Sequence, residues 1–149
     1  RDWSSDVCSS DLCGRYANLL EEFPVDIALM GIGENGHIAF NDPHVADFKD
    51  EKMLKVVNLD EKCRIQQVKD GCFANLDQVP KLAMTLTIPA LMKAEYVFCT
   101  VPTQNKCWAV TQTVKGDINE ICPASVLRKK NRAKLFLDKE SGAQLLSNY

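Results

Sequence analysis

One stretch constrains the fold of this chain more than any other: Leu29-Met30-Gly31-Ile32-Gly33-Glu34-Asn35-Gly36-His37-Ile38-Ala39-Phe40-Asn41-Asp42-Pro43. It follows the apolar run over 25–30, which is short and ends at glycine, as a buried strand of a parallel sheet does. Ligands of open α/β sheets bind where such strands end at their carboxyl edge, so a loop placed here is well sited for chemistry. Gly31, Gly33 and Gly36 allow positive φ and close approach of the backbone to a ligand. His37, one of two histidines in the chain, sits among them.

Gly31-x-Gly33-x-x-Gly36 has the spacing of a dinucleotide-binding turn, but that turn must open directly into a helix. Here His37 and then Asn41-Asp42-Pro43 interrupt the helix, because proline disfavours a helical residue before it. What remains is Asn35, His37 and Asp42 on one short loop. Histidine gives and takes protons near neutral pH, and a neighbouring amide or carboxylate fixes which ring nitrogen carries the proton. These are the parts of a general acid and base.

The stretch from Gly31 to Pro43 resembles the signature of the glucosamine-6-phosphate deaminase/isomerase family. The resemblance continues through Asp70-Gly71-Cys72-Phe73, Val79-Pro80, Leu86-Thr87-Ile88-Pro89-Ala90 and Pro123-Ala124-Ser125, and so spans about residues 14 to 146. It implies that His37 opens the sugar ring, that Asn35 stands where the family has Asp or Asn, and that Asp42 supports the histidine where Glu is common. Asp in place of Glu shortens that reach by one methylene. The resemblance further implies that Lys106, with Lys69 or the earlier Arg64, binds the substrate phosphate. The reaction it implies converts glucosamine 6-phosphate and water to fructose 6-phosphate and ammonia, without metal or organic cofactor. The related 6-phosphogluconolactonases share the glycine-histidine core but not Ile-Ala-Phe-Asn-Asp-Pro, and are the second enzymatic reading. A sugar-phosphate-sensing domain is a third, although 1–24 carries no helix-turn-helix pattern.

Family members also have an amino-terminal half with the first sheet strands, a phosphate turn and the aspartate that moves the C2 proton. None of it is found here, where 25–30 reads as a central strand. Residues 13–149 are therefore expected to be the carboxyl-terminal portion of a single sugar-phosphate isomerase/deaminase domain, inactive alone, with the full-length enzyme expected to be a homo-oligomer. Residues 1–12 are Ser/Asp-rich, without apolar period, and read as a non-native leader.

Composition excludes several other functions. A net charge of −2 gives no basis for nucleic-acid or anionic-membrane binding. No apolar run approaches the length of a membrane span. The basic group Arg128, Lys129, Lys130, Arg132 and Lys134 has no interleaved aromatics and reads as a solvated loop. The seven cysteines form no Cys-x-x-Cys pair, which argues against a zinc site or a disulfide framework and for reduced thiols in a cytoplasmic protein. Cys99 fits a core position, and Cys72 and Cys107 are read as packing residues rather than nucleophiles. His44, just past Pro43, reads as solvated.

Taken in order, 14–23 ends a helix with Tyr16, Leu19, Leu20 and Phe23 on an apolar face. A strand crosses the surface over 53–59. Asp60 is the N-cap of a helix over 61–69, stopped by Asp70-Gly71. A connection follows over 76–80, a strand over 81–88, a short helix over 89–93, and a buried strand over 95–101. The next helix runs to 115, and its amino end near Lys106 suits an anion. A short helix over 123–127, a strand over 133–137 and a final helix over 138–146 complete the alternation. The expected class is α/β, a partial Rossmann-like, mainly parallel sheet flanked by helices.

Overall fold

The computed structural model describes residues 6–146. In chain order its elements are α1 (Asp6–Glu22), β1 (Ile27–Met30), β2 (Leu54–Asn58), α2 (Glu61–Lys69), β3 (Leu82–Leu86), α3 (Ile88–Met92), β4 (Tyr96–Val101), α4 (Cys107–Lys115), β5 (Ala133–Leu137) and α5 (Ala143–Leu146). Short 3-10 helices lie at Leu76–Gln78, Gln104–Lys106 and Pro123–Lys129.

β4 is the centre of a parallel sheet in the order β1-β4-β5. Met30 lies opposite Cys99 on one side, and Leu135 opposite Cys99 on the other. Alternation along β4 sends Val97, Cys99 and Val101 to a single face, where all three are buried. They pack with Ala109 and Val110 of α4 and with Ala124, Val126 and Leu127 of the last 3-10 helix. Ile32 and Ile38 of the signature loop and Ile88 of α3 join the same core. The signature loop is thus anchored by its own isoleucines.

Local signals account for the other elements. Asp60 caps α2 by accepting from the Cys63 N–H at 2.6 Å, and Asp70-Gly71 stops that helix, with Gly71 at φ +76°. Thr87 caps α3 in the same way, and Pro89 fills its first turn. β2 and β3 pair antiparallel as a separate ribbon, with α1 lying against β2. The mainly parallel sheet flanked by helices is present, and only the ribbon departs from it.

Four expectations are corrected. The strand after Pro24 is neither buried nor central: β1 is at the sheet edge, and its Leu29 is 79% exposed. Its Ile27 and Leu29 share with Tyr96 and Phe136 an exposed sheet face, while Ala28 and Met30 pack against the core. Apolar character alone could not report this, because the same run suits a covered and an uncovered face. Tyr16, Leu19 and Phe23 are likewise exposed on α1 and in the residue just past it. That helix runs from Asp6 to Glu22. The final helix is confined to Ala143–Leu146, because the Asp138 carboxylate accepts from the Ser141 N–H at 2.7 Å and holds a turn first.

The basic group is not a freely solvated loop either. Arg128 donates to the carbonyls of Val114 and Gly116, closing the carboxyl end of α4. Lys130 does the same for Met92 at the end of α3, at 3.1 Å. Arg132 pairs with Glu95 and lies 5.0 Å from the Tyr96 ring centroid. Cations at helix carboxyl ends meet unpaired carbonyls and the negative pole of the dipole.

The one-sided core makes a quantitative contrast. Ile88→Ala, at a site 1% exposed, is expected to cost about 2–5 kcal/mol, whereas Leu29→Ala should cost less than about 0.5 kcal/mol. Urea unfolding of the two variants checks this, and equal losses would contradict the placement of the core.

Candidate active site

The signature loop closes on itself through backbone bonds. The Gly33 N–H donates to the His37 carbonyl at 2.9 Å, and the Gly36 N–H to the Gly33 carbonyl at 3.0 Å. Gly36 has φ +83°, and a Cβ there would lie 2.7 Å from Cys122 Sγ. Gly33 serves another purpose. A Cβ on it would fall 2.1 Å from Cε1 of His37, so the imidazole lies directly over this glycine. The close approach expected of a ligand is made instead by the histidine. Asn41 fastens the loop to β3 by donating from Nδ2 to the Leu86 carbonyl at 2.8 Å, and the Phe40 N–H donates to Thr85 Oγ1 at 3.1 Å.

This fold-back brings Asn35, His37 and Asp42 together. His37 Nδ1 lies 2.7 Å from Asn35 Oδ1 and 3.0 Å from Asp42 Oδ1. Asn35 is oriented by donors and acceptors of known kind. Its Oδ1 accepts from the His37 backbone N–H at 3.1 Å, while its Nδ2 donates to Asp42 Oδ1 at 2.9 Å and to Asp60 Oδ2 at 3.3 Å. Both neighbours of Nδ1 are therefore acceptors, which requires the ring proton on Nδ1. In the neutral ring Nε2 is then a lone-pair acceptor, and it has no hydrogen-bond partner among the described residues.

Asp42 is fully buried. Burial by itself would raise its pKa, but hydrogen bonds from His37 and Asn35, the charge of His37 and the Asp60 N–H outweigh it and hold the carboxyl below the usual range. Beside it the Cys63 thiol is pushed up to about 12, first by burial and then by the charges of Asp42 and Asp60. Cys63 is thus protonated at neutral pH and is no nucleophile. His37, Asp42 and Cys63 hold potential metal-ligand atoms within 4.8 Å of one another, as do Asp42, His44 and Asp60. A cation at the first group would have to displace the proton that joins His37 to Asp42. His44 is exposed and places Nε2 3.0 Å from the Asn58 carbonyl.

His37 faces a cavity of about 620 Å³ lined by Glu34, Asn35, Lys62, Gln66, Lys69 and Trp108 among others. Its walls are tied together: the Glu34 N–H donates to Gln66 Oε1 at 3.3 Å, and Asn105 Nδ2 donates to the Glu34 carboxylate at 2.6 Å. Lys69 lines this cavity, but Arg64 does not, because its guanidinium donates to the carbonyls of Leu76 at 2.7 Å and Val79 at 3.1 Å. Lys106 lies next to Asn105 at the N-cap of α4, half-buried. Burial lowers its pKa, opposed by the carboxylates of Glu34 and Asp70. Cys72 is exposed, and Cys99 and Cys107 are buried.

Known proteins share this fold. The family of glucosamine-6-phosphate isomerases/6-phosphogluconolactonase matches residues 5–137. The chain belongs to this family. A glucosamine-6-phosphate deaminase of Listeria monocytogenes is 35% identical over 133 residues, covering 89% of this chain and 55% of that protein. A solved monomeric glucosamine-6-phosphate deaminase superimposes with a TM-score of 0.85 at 32% identity, over 95% of this chain and 56% of that one. The 6-phosphogluconolactonase of Trypanosoma brucei shares the fold, with a TM-score of 0.69 at 19% identity. The chain spans about half the length of the curated relatives it matches.

Within this member of the family, several wall residues escape a reading centred on the glycine loop. Lys62 and Gln66 line the cavity from the same side of α2 as the expected Lys69, and the spacing of four and three is the signal that could have found them. Asp60, legible as a cap, also reaches Asn35. No sequence periodicity reports that second contact.

Because the folded-state pKa of Asp42 is depressed, the unfolded chain takes up its proton first as pH falls. The stability Asp42 provides is present above its unfolded value of about 3.9 and is lost as pH drops through the lower folded value. Asp42→Asn should therefore be clearly less stable than wild type at pH 6–7, with the gap closing as the pH is lowered below about 4. Denaturant unfolding across that range checks it, and a gap independent of pH would contradict it.

Proposed function

We propose that this chain carries the ring-opening and phosphate-binding groups of a glucosamine-6-phosphate deaminase, which converts glucosamine 6-phosphate and water to fructose 6-phosphate and ammonia. The observation that supports this most is His37 itself: Nδ1–H held by Asn35 and Asp42, Nε2 unpartnered, and the ring on the wall of a cavity that Lys69 also lines. Opening a pyranose moves a proton from the anomeric hydroxyl to the ring oxygen. An imidazole with a free Nε2 accepts the first and donates to the second. In between it is cationic, and the buried Asp42 carboxylate, already ionised, stabilises that form and keeps the ring in place.

The phosphate falls to Lys69 and Lys106. Lys69 extends from the end of α2 into the cavity, and Lys106 stands where the backbone N–H groups at the start of α4 add to its charge. The isomerising proton transfer between C2 and C1 is assigned to an aspartate outside residues 13–149, in the part of the relatives that this chain does not span. On this reading the chain binds the sugar phosphate without turning it over. The likeness to glucosamine-6-phosphate deaminases at 32–35% identity favours this substrate over the lactone, since the likeness to 6-phosphogluconolactonases is 16–22%.

Calorimetric titration of the chain with glucosamine 6-phosphate should show binding that Lys69→Ala weakens roughly tenfold, the loss of one charge-assisted contact. In a full-length protein carrying this sequence, ammonia release is expected, and His37→Ala should abolish it. Lactone hydrolysis without ammonia release would overturn the deaminase reading, and binding without either reaction would leave a sensor.

A further inference from the structure

Asp60 does more than start a helix. Its Oδ1 accepts from the Cys63 N–H at 2.6 Å, which is the cap of α2. Its Oδ2 accepts from Asn35 Nδ2 at 3.3 Å, and its own backbone N–H points at Asp42 Oδ2 at 3.5 Å. Residue 60 therefore touches both groups that hold His37 Nδ1. The two side-chain contacts are made by two separate oxygens, which a carboxylate has and an amide or a hydroxyl does not. With Asp42 and Asp60 both facing Nδ2 of residue 35, that position also favours an amide over a third carboxylate, which would have nothing to donate.

We propose that Asp60 is a positioning residue for His37: through Asn35 it fixes the imidazole with its proton on Nδ1 and Nε2 toward the cavity, and it aligns that ring with α2. The same side chain thereby sets the distance between the proton-transferring group and the Lys62, Gln66 and Lys69 wall, because α2 begins at its cap. This rests on the reading that Nε2 is the working atom, and it adds a residue for which the signature loop has no place.

The test separates capping from positioning. Asp60→Asn and Asp60→Ser both keep a side-chain oxygen able to cap α2, but both remove the second oxygen that accepts from Asn35. Ring nitrogen NMR spectra of His37 are recorded at one pH on the chain with each substitution, with His44→Gln used to assign the two histidines. Circular dichroism should report wild-type helix content. Exchange of the Nδ1 proton should quicken roughly fivefold, the equivalent of one ordinary hydrogen bond, and the two ring nitrogen resonances should move toward each other. In an Asn35→Ala background the same substitutions should change nothing further, because the contact runs through that amide. Wild-type ring resonances in both variants would overturn the proposal and leave Asp60 a cap. So would a shift that persists without Asn35. Whether glucosamine 6-phosphate moves the His37 resonances in the wild-type chain bears on the functional reading alone, so the two can fail independently.

Discussion

The structure of the site depends on a buried carboxylate that has to be satisfied. Asp42 has no exposed surface, and an ionised carboxyl without partners in such a place would cost several kcal/mol. Its partners are His37 Nδ1, Asn35 Nδ2 and the Asp60 N–H, three donors drawn from one loop and from the start of α2. Meeting that requirement orients the imidazole, and orienting the imidazole requires a glycine at 33, where any Cβ would occupy the space of the ring. A packing condition and a chemical condition thus select the same short run of residues.

The scaffold positions this network at the carboxyl edge of the sheet, as the topology of parallel sheets leads one to expect. β4 is paired on both sides and buried on one face, which makes it the most fixed part of the sheet. The signature loop leaves β1, sends Ile32 and Ile38 into the core behind β4, and meets the turn after β4 through the Glu34–Asn105 contact. The cavity wall is therefore assembled from three segments far apart in sequence. Each is held by a named bond rather than by the loop's own rigidity.

Much of this was legible in the sequence because it is local. Asp60 as a cap, Asp70-Gly71 as a stop, Pro89 within the first turn of its helix, and the strand over 133–137 all follow from side-chain chemistry within a few residues. The grouping of Asn35, His37 and Asp42 was legible for the same reason, since glycines allow one loop to fold back on itself. What could not be read was non-local. Whether Leu29 is covered depends on what lies across the sheet, and the partners of Arg128, Lys130 and Arg132 are carbonyls and a carboxylate from other elements. The same holds for Lys69 and Arg64, two cations of one helix, of which one faces the cavity and the other ties down a 3-10 helix.

The chemistry of the site turns on which nitrogen of one ring carries a proton, and with two histidines in the chain that proton can be located directly. A ring nitrogen spectrum of the unliganded wild-type chain at about pH 8, above the ordinary imidazole range, should show His37 with Nδ1 protonated and Nε2 bare. A spectrum dominated by the Nε2–H form would contradict it, because Nδ1 would then be the acceptor and the bonds from His37 to Asn35 and Asp42 could not exist as described.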